Sequence, residues 1–232
     1  MDQKPFETKV LAEIIVFVAL SGVLYSIRPF SLPYGGSVTL GSMVPIMWLS
    51  LRRGPKIGMF AGAVFGLVAL PIDVLLLPNS PIANPAQVFL DYPLAFSMIG
   101  LVGFFAGKST PRRSMTGAGI FASVSAFCFI GAILQQVLWL APAITFFLLA
   151  AWQLTTTGVW RVPMVGVVVA GFARFCSHFV SGILFWSAYA PPQLGPVLYS
   201  AVYNGSFLIP EFVISGILLY LLIKRRTLEI GL

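Results

Sequence analysis

Apolar residues in this chain come in long runs, and the short polar breaks between them set the elements. A polar lead over residues 1–8 is followed by a first apolar run over about 9–26. Arg28-Pro-Phe-Ser-Leu-Pro33-Tyr34-Gly-Gly36 ends it, since two prolines and a glycine pair do not continue a helix. Later runs cover about 38–51, 57–77, 86–107, 162–188 and 197–223. Residues 115–157 are too long for one span and are interrupted by Pro142, which predicts two helices, about 115–137 and 141–157. Runs of about 18 apolar residues or more read as membrane spans, and in lipid their backbone amides must be satisfied internally, so they are helices.

Two spacings stand out inside these runs. Gly54, Gly58, Gly62 and Gly66 recur at every fourth position of the third run, which predicts a groove for close approach by another helix. In Arg174-Phe-Cys-Ser-His178-Phe-Val-Ser-Gly182-Ile-Leu-Phe-Trp186, a guanidinium, the only histidine, a glycine and an indole follow at steps of four. At 3.6 residues per turn they lie close to one helix face and form one wall of a pocket. A hydrogen-bonded helix seam is the plainer reading of each residue alone, but the ladder as a whole favours a pocket.

Composition confirms a polytopic membrane protein: 58% hydrophobic, 9% charged, mean hydropathy +0.95. The first run lacks a small-residue cleavage site and is expected to remain as a helix. Cys128 and Cys176 are isolated in apolar runs and predict neither a disulfide nor a metal site. The net charge of +7 does not point to nucleic acid, because the basic residues sit at helix ends. Of the 14 Lys and Arg residues, all but Arg28 and Arg174 fall on one side if 115–157 crosses twice. The positive-inside rule then predicts about eight spans, or six if 115–157 re-enters without crossing, with both termini cytoplasmic. In that layout Asp91, His178, Gly182, Trp186, Tyr199, Tyr203, Asn204 and the Tyr34 loop all lie toward the outer side.

Leu90-Asp91-Tyr92-Pro-Leu-Ala-Phe96, Arg174-x-x-x-His178-Phe-x-Ser-Gly182, Trp186 and Leu198-Tyr199-Ser-x-x-Tyr203-Asn204-Gly-Ser206 resemble the thiamine-binding S component of energy-coupling factor (ECF) vitamin transporters. Gly35-Gly36-Ser37-Val38-Thr39-Leu40-Gly41-Ser42-Met43-Val44-Pro45-Ile46 is similar to the same family. The resemblance implies an all-α membrane protein in the prokaryotic cell membrane, with a six-helix S-component core over 9–108 and 162–226; it does not extend to residues 115–157, which are read, from Pro142 and the charge count, as an inserted hairpin in the same single domain. It implies a high-affinity binding subunit without catalytic residues, metal or cofactor. ATP would be used only by partners, an ECF transmembrane subunit and two ATPases. It places substrate contacts at Asp91, Tyr92, His178, Gly182, Trp186, Tyr199 and Asn204, with Tyr34, Tyr189 and Tyr203 as further candidates. The residue types suit a flat aminopyrimidine joined to a cationic thiazolium: rings for stacking and cation–π contact, a carboxylate and an amide for the polar edge, and Gly182 for room. The acid is Asp where the family often carries Glu, and no tryptophan stands in the first external loop or shortly after Trp186.

Gly103-Phe-Phe-Ala-Gly107-Lys108-Ser109 is not a phosphate loop, because its first glycine would fall at Val102 and no strand precedes it. It is read as a packing face. Two alternatives stand beside the transporter reading. One keeps the fold and changes the ligand to a pyrimidine precursor or riboflavin. The other is an intramembrane enzyme using Asp91, His178 and Glu211, disfavoured because no paired-His spacing or nucleophile motif accompanies them. Arg174 is expected to pair internally, with Glu211 as its partner.

Overall fold

The computed structural model describes residues 8–32, 35–77, 82, 84–106 and 161–225. The expected hairpin over 115–157, Tyr34 and most of the loop before Pro85 lie outside them. The chain runs through α1 (Thr8–Ser26), a two-residue ladder of β1 (Phe30–Ser31) and β2 (Ser37–Val38), α2 (Val44–Arg53) and α3 (Pro55–Leu76). It continues through α4 (Pro85–Phe105), α5 (Arg161–Phe185) and α6 (Gly195–Lys224). All of these helices except α2 are long and apolar enough to cross a membrane, five among the described residues. Their outward faces carry large apolar side chains such as Ile15, Val16, Leu75, Leu184 and Ile209. Such a surface requires an apolar surround.

α2 departs from the sequence reading, which made a span of 38–51. It has ten residues, about 15 Å at 1.5 Å each, half of a bilayer core. Its apolar residues from Val44 to Leu51 are buried, with Trp48 and Met47 among the largest enclosed side chains. It is a plug inside the bundle, not a lipid-facing span. Ahead of it the expected loop holds a short antiparallel pairing, Phe30 opposite Val38 and Ser31 opposite Ser37.

The glycine stripe does what its spacing predicts at three of its four positions. A Cβ on Gly62 or Gly66 would strike the backbone of Phe96 or Tyr92 on α4, and one on Gly58 would strike Ser50 of α2. Gly54 instead has open space around it and a φ of +89°, so it serves the α2–α3 turn. From the α4 side, Gly100 and Gly103 meet Met59 and Ser50 equally closely, and the Ser50 hydroxyl donates to the Gly100 carbonyl at 2.5 Å. Gly103 is thus a packing position, as its sequence context implied. Backbone against backbone leaves little freedom, so α2, α3 and α4 form a fixed unit on which the site is built.

Candidate functional site

α4 is irregular where the site begins. Pro93 supplies no amide hydrogen, and Leu90–Leu94 winds as a π-helix in which the Ala95 amide donates to the Leu90 carbonyl. The same carbonyl accepts the Ser177 hydroxyl of α5 at 2.6 Å. Such wide turns are rare and concentrate at functional sites. Here the turn brings the consecutive Asp91 and Tyr92 onto one cavity wall.

That cavity, about 80 Å³, lies at one end of the bundle. Its lining draws on the C-terminal ends of α1, α3 and α5, the N-terminal parts of α4 and α6, and the segment Gly35–Ser37. Arg174, His178, Gly182 and Trp186 all line it, so the four-residue ladder does face one space. Asp91, Tyr92, Tyr199, Tyr203 and Asn204 line it too. Tyr189 is exposed and not in the lining, although its ring sits 5.7 Å from that of Trp186.

Asp91 is held by two neighbours. One oxygen accepts from the Gln87 amide at 2.7 Å, one turn earlier on α4, and the other lies 3.2 Å from His178 Nδ1. A neutral imidazole donating through Nδ1 leaves Nε2 as an acceptor, and that buried Nε2 has no partner among the described residues. Asn204 spends its amide hydrogens on the His178 carbonyl at 3.3 Å and the Ser200 carbonyl at 2.9 Å. This clamps α6 to α5 behind the histidine. Tyr199, Tyr203 and Phe207 then descend α6 as a ring ladder, with centroids 5.8 and 5.9 Å apart, and Phe207 meets the His178 ring edge-on at 6.0 Å. The Tyr203 hydroxyl accepts from the Gly36 amide at 3.0 Å, tying the β-ladder segment to the cavity wall.

One sequence expectation changes here. Gly182 was to leave room for a ligand ring, but a Cβ there would collide with Ser200 of α6, so its missing side chain primarily admits the neighbouring helix. The Tyr92 hydroxyl already donates to Asp73 at 2.8 Å, leaving its ring rather than its proton toward the cavity.

Sequence reasoning also missed part of the lining: Asp73, Tyr25, Gln87, Phe96, Ser200 and Phe207. Asp73 accepts from Tyr25 at 3.0 Å and pairs with Arg28 at 2.5 Å. The signal for it was present, because a lone acid in an apolar run marks a function or a buried partner. The expected pairing of Arg174 with Glu211 is present at 3.2 Å. No group of three His, Cys, Asp or Glu residues among the described residues could hold a metal ion.

Comparison with known proteins now identifies the family. Residues 11–230 match the family model described as thiamine transporter protein (Thia_YuaJ). The thiamine transporter ThiT of Bacillus subtilis (strain 168) is 30% identical over 215 residues, 91% of this chain and 88% of that protein. The ThiT of Lacticaseibacillus paracasei is 27% identical over 76% of this chain and 70% of its own length. A solved structure of ThiT from Listeria monocytogenes superposes with a TM-score of 0.60 at 27% identity, covering 94% of this chain and 95% of that one. With a family match across almost its whole length and multiple apolar helices, this chain belongs to the thiamine transporter protein family and is a multi-pass prokaryotic membrane protein, a transporter and not an enzyme.

Proposed function

We propose that the cavity binds thiamine from outside the cell, and that the chain is an S component delivering the vitamin inward through an ECF transmembrane subunit and two ATPases. One observation carries this reading: the Arg174–Trp186 ladder, Asp91–Tyr92 and Tyr199–Asn204 line a single cavity. Its chemistry matches the ligand. The Asp91 carboxylate offsets the thiazolium charge and accepts from the pyrimidine amine, and His178 Nε2 adds a second acceptor. Trp186, Tyr199 and Tyr203 give faces to a cationic ring, a contact worth about 0.5–2 kcal/mol each when desolvated. Tyr92 and Gly182 shape the wall against which the rings lie, and Asn204 fixes the pyrimidine edge.

The orientation follows from charge. The cavity end carries Arg28, locked to Asp73, whereas Arg52, Arg53, Lys56, Lys224 and Arg225 collect at the opposite helix ends. On the positive-inside rule the cavity opens outward and both termini are cytoplasmic. The single domain then comprises the six-helix core of 9–108 and 162–226, with 115–157 inserted as a hairpin that crosses out and back, about eight spans in all.

Equilibrium titration by intrinsic tryptophan fluorescence tests the binding. Saturable quenching by thiamine, stronger than by its pyrimidine half or riboflavin, supports the assignment. Preference for either competitor, or turnover of any ligand, overturns it. Reconstituted alone, the chain should bind but neither hydrolyse ATP nor accumulate the vitamin. Accumulation in sealed vesicles without the other subunits would refute the partner dependence.

A further inference from the structure

Among the described residues lining the cavity, Arg174 is the one Arg or Lys, and a fixed positive charge is a poor wall for a cationic ligand. The surroundings of that guanidinium answer the difficulty. Arg174 is 2% exposed; its guanidinium lies over the Phe96 ring at 4.2 Å, and one terminal nitrogen contacts the Met43 sulfur at 2.9 Å and a Glu211 oxygen at 3.2 Å. Glu211, 1% exposed, is not in the lining. Its other oxygen lies 2.7 Å from the Thr39 hydroxyl and 3.3 Å from that of Ser42. Two hydroxyls and a guanidinium therefore hold an anion directly behind the positive part of the wall.

The same layering occurs elsewhere in the lining with reversed sign. Asp73 lines the cavity and its partner Arg28 stands outside the lining. Each of these wall charges is cancelled from behind by a permanent partner. Asp91 differs, since its partner is the imidazole of His178, which need not be charged. With a neutral imidazole, the wall and its backing together carry one uncancelled negative charge, at Asp91.

We propose that Glu211 is a specificity determinant acting from behind the cavity wall: by cancelling Arg174 it leaves the net charge of Asp91 to select a cationic ring over a neutral one. This rests on the reading of the cavity as a thiamine site. A charge in a low-dielectric wall acts on a bound ion with little screening, so an uncancelled Arg174 would penalise the thiazolium and leave an uncharged ring of the same shape almost untouched.

The test compares thiamine with its isostere in which carbon replaces the thiazolium nitrogen, giving a neutral thiophene ring. Binding of both is titrated against the full chain and its Glu211→Gln, Arg174→Gln and doubly substituted variants. Glu211→Gln should weaken thiamine about tenfold more than the isostere, and the double variant should return the ratio of affinities to within about threefold of the parent. Arg174→Gln, which leaves the Glu211 carboxylate uncancelled, should raise that ratio. If Glu211→Gln weakens both ligands equally, or the double variant fails to restore the ratio, the pair is a helix bolt and the inference is overturned. Should Glu211→Gln not remain monodisperse, Arg174→Gln decides alone, an unchanged or lower ratio overturning the proposal. A parent chain that binds neither compound removes the thiamine reading itself, whereas a parent that binds thiamine while every variant keeps its ratio removes only this inference.

Discussion

Replacing Gly182 by alanine puts a methyl group where α6 already passes. The added Cβ would lie 2.9 Å from Ser200 Cβ and 3.2 Å from Asn204 Nδ2, and closer still to Ser200 Oγ. Ser200 cannot simply turn away, because its hydroxyl donates to the Phe179 carbonyl at 2.8 Å and Asn204 leans on its carbonyl. Overpacking of this kind costs about 1–3 kcal/mol, and displacing the Ser200 hydrogen bond adds about 0.5–1.5 kcal/mol. For a chain of this size each kcal/mol corresponds to roughly 2–4 °C in melting temperature. Gly182→Ala should therefore melt measurably lower in detergent and bind thiamine more weakly, since Asn204 is carried off with α6. Ser200→Gly in the same chain removes the obstructing side chain and should recover most of the melting temperature. A variant with unchanged melting and affinity would mean that the two helices do not approach as described. Lost affinity with unchanged melting, not recovered by Ser200→Gly, would return Gly182 to the role of making room for the ligand.

Trp186→Ala should weaken thiamine binding by about 1–3 kcal/mol through lost stacking and cation–π contact, and normal affinity in a folded variant would remove Trp186 from the site. Asp91→Asn should cost as much or more, because the desolvated cation loses its counter-charge, and wild-type affinity would dismiss the carboxylate's role. Gly36→Ala places a Cβ 2.7 Å from the Phe207 ring and 3.1 Å from the Tyr203 hydroxyl, so stopped-flow measurement should find faster thiamine release; an unchanged rate would deny the contact. Cysteines placed at Gln136 and Thr157 should react from outside and inside respectively if 115–157 crosses twice, and labelling of both from one side would exclude the hairpin.

The ladder from Arg174 to Trp186 was legible because its information is local: one helix, one spacing, one face. The glycines at 58, 62 and 66 were legible for the same reason, since a small-residue stripe means close packing whatever the partner. Asp73 was visible as a lone acid, yet its partners Tyr25, Arg28 and Tyr92 come from distant segments, and nothing local connects them. The interior position of α2 was not readable, because an apolar run has the same composition whether lipid or protein surrounds it. The run over 86–107 gave no sign that a wide turn at Pro93 would put Asp91 and Tyr92 on the same wall. Gly182 shows the limit of spacing arguments: the ladder located it correctly, but only the neighbouring helix reveals what occupies the space beside it.

Arginine–carboxylate pairs hold α1 toward both ends, Arg28–Asp73 at one and Arg53–Glu13, with Arg52 3.7 Å from the same acid, at the other, and their burial separates their roles. At the cavity end Arg28 and Asp73 expose 5% of each side chain, and Asp73 also takes hydroxyls from Tyr25 of α1 and Tyr92 of α4. At the other end Arg53 grips both oxygens of Glu13 at 2.6 Å, but the side chains remain 26% and 17% exposed. Bidentate geometry alone would rank the second pair higher. Desolvation reverses the order, because removing one partner of a buried pair strands a charge at about 3–5 kcal/mol, whereas a partly solvated pair is worth at most about 1 kcal/mol. Asp73→Ala should therefore lower the melting temperature several times more than Glu13→Ala, and it alone should weaken ligand binding, since Asp73 and Tyr25 line the cavity while Glu13 lies far from it. Asp73→Asn, which keeps one acceptor oxygen and replaces the other with an NH2 donor, should fall between them. Equal losses from Asp73→Ala and Glu13→Ala would show that the guanidinium of Arg28 finds water or another acceptor, and that α1 is held by its apolar packing instead.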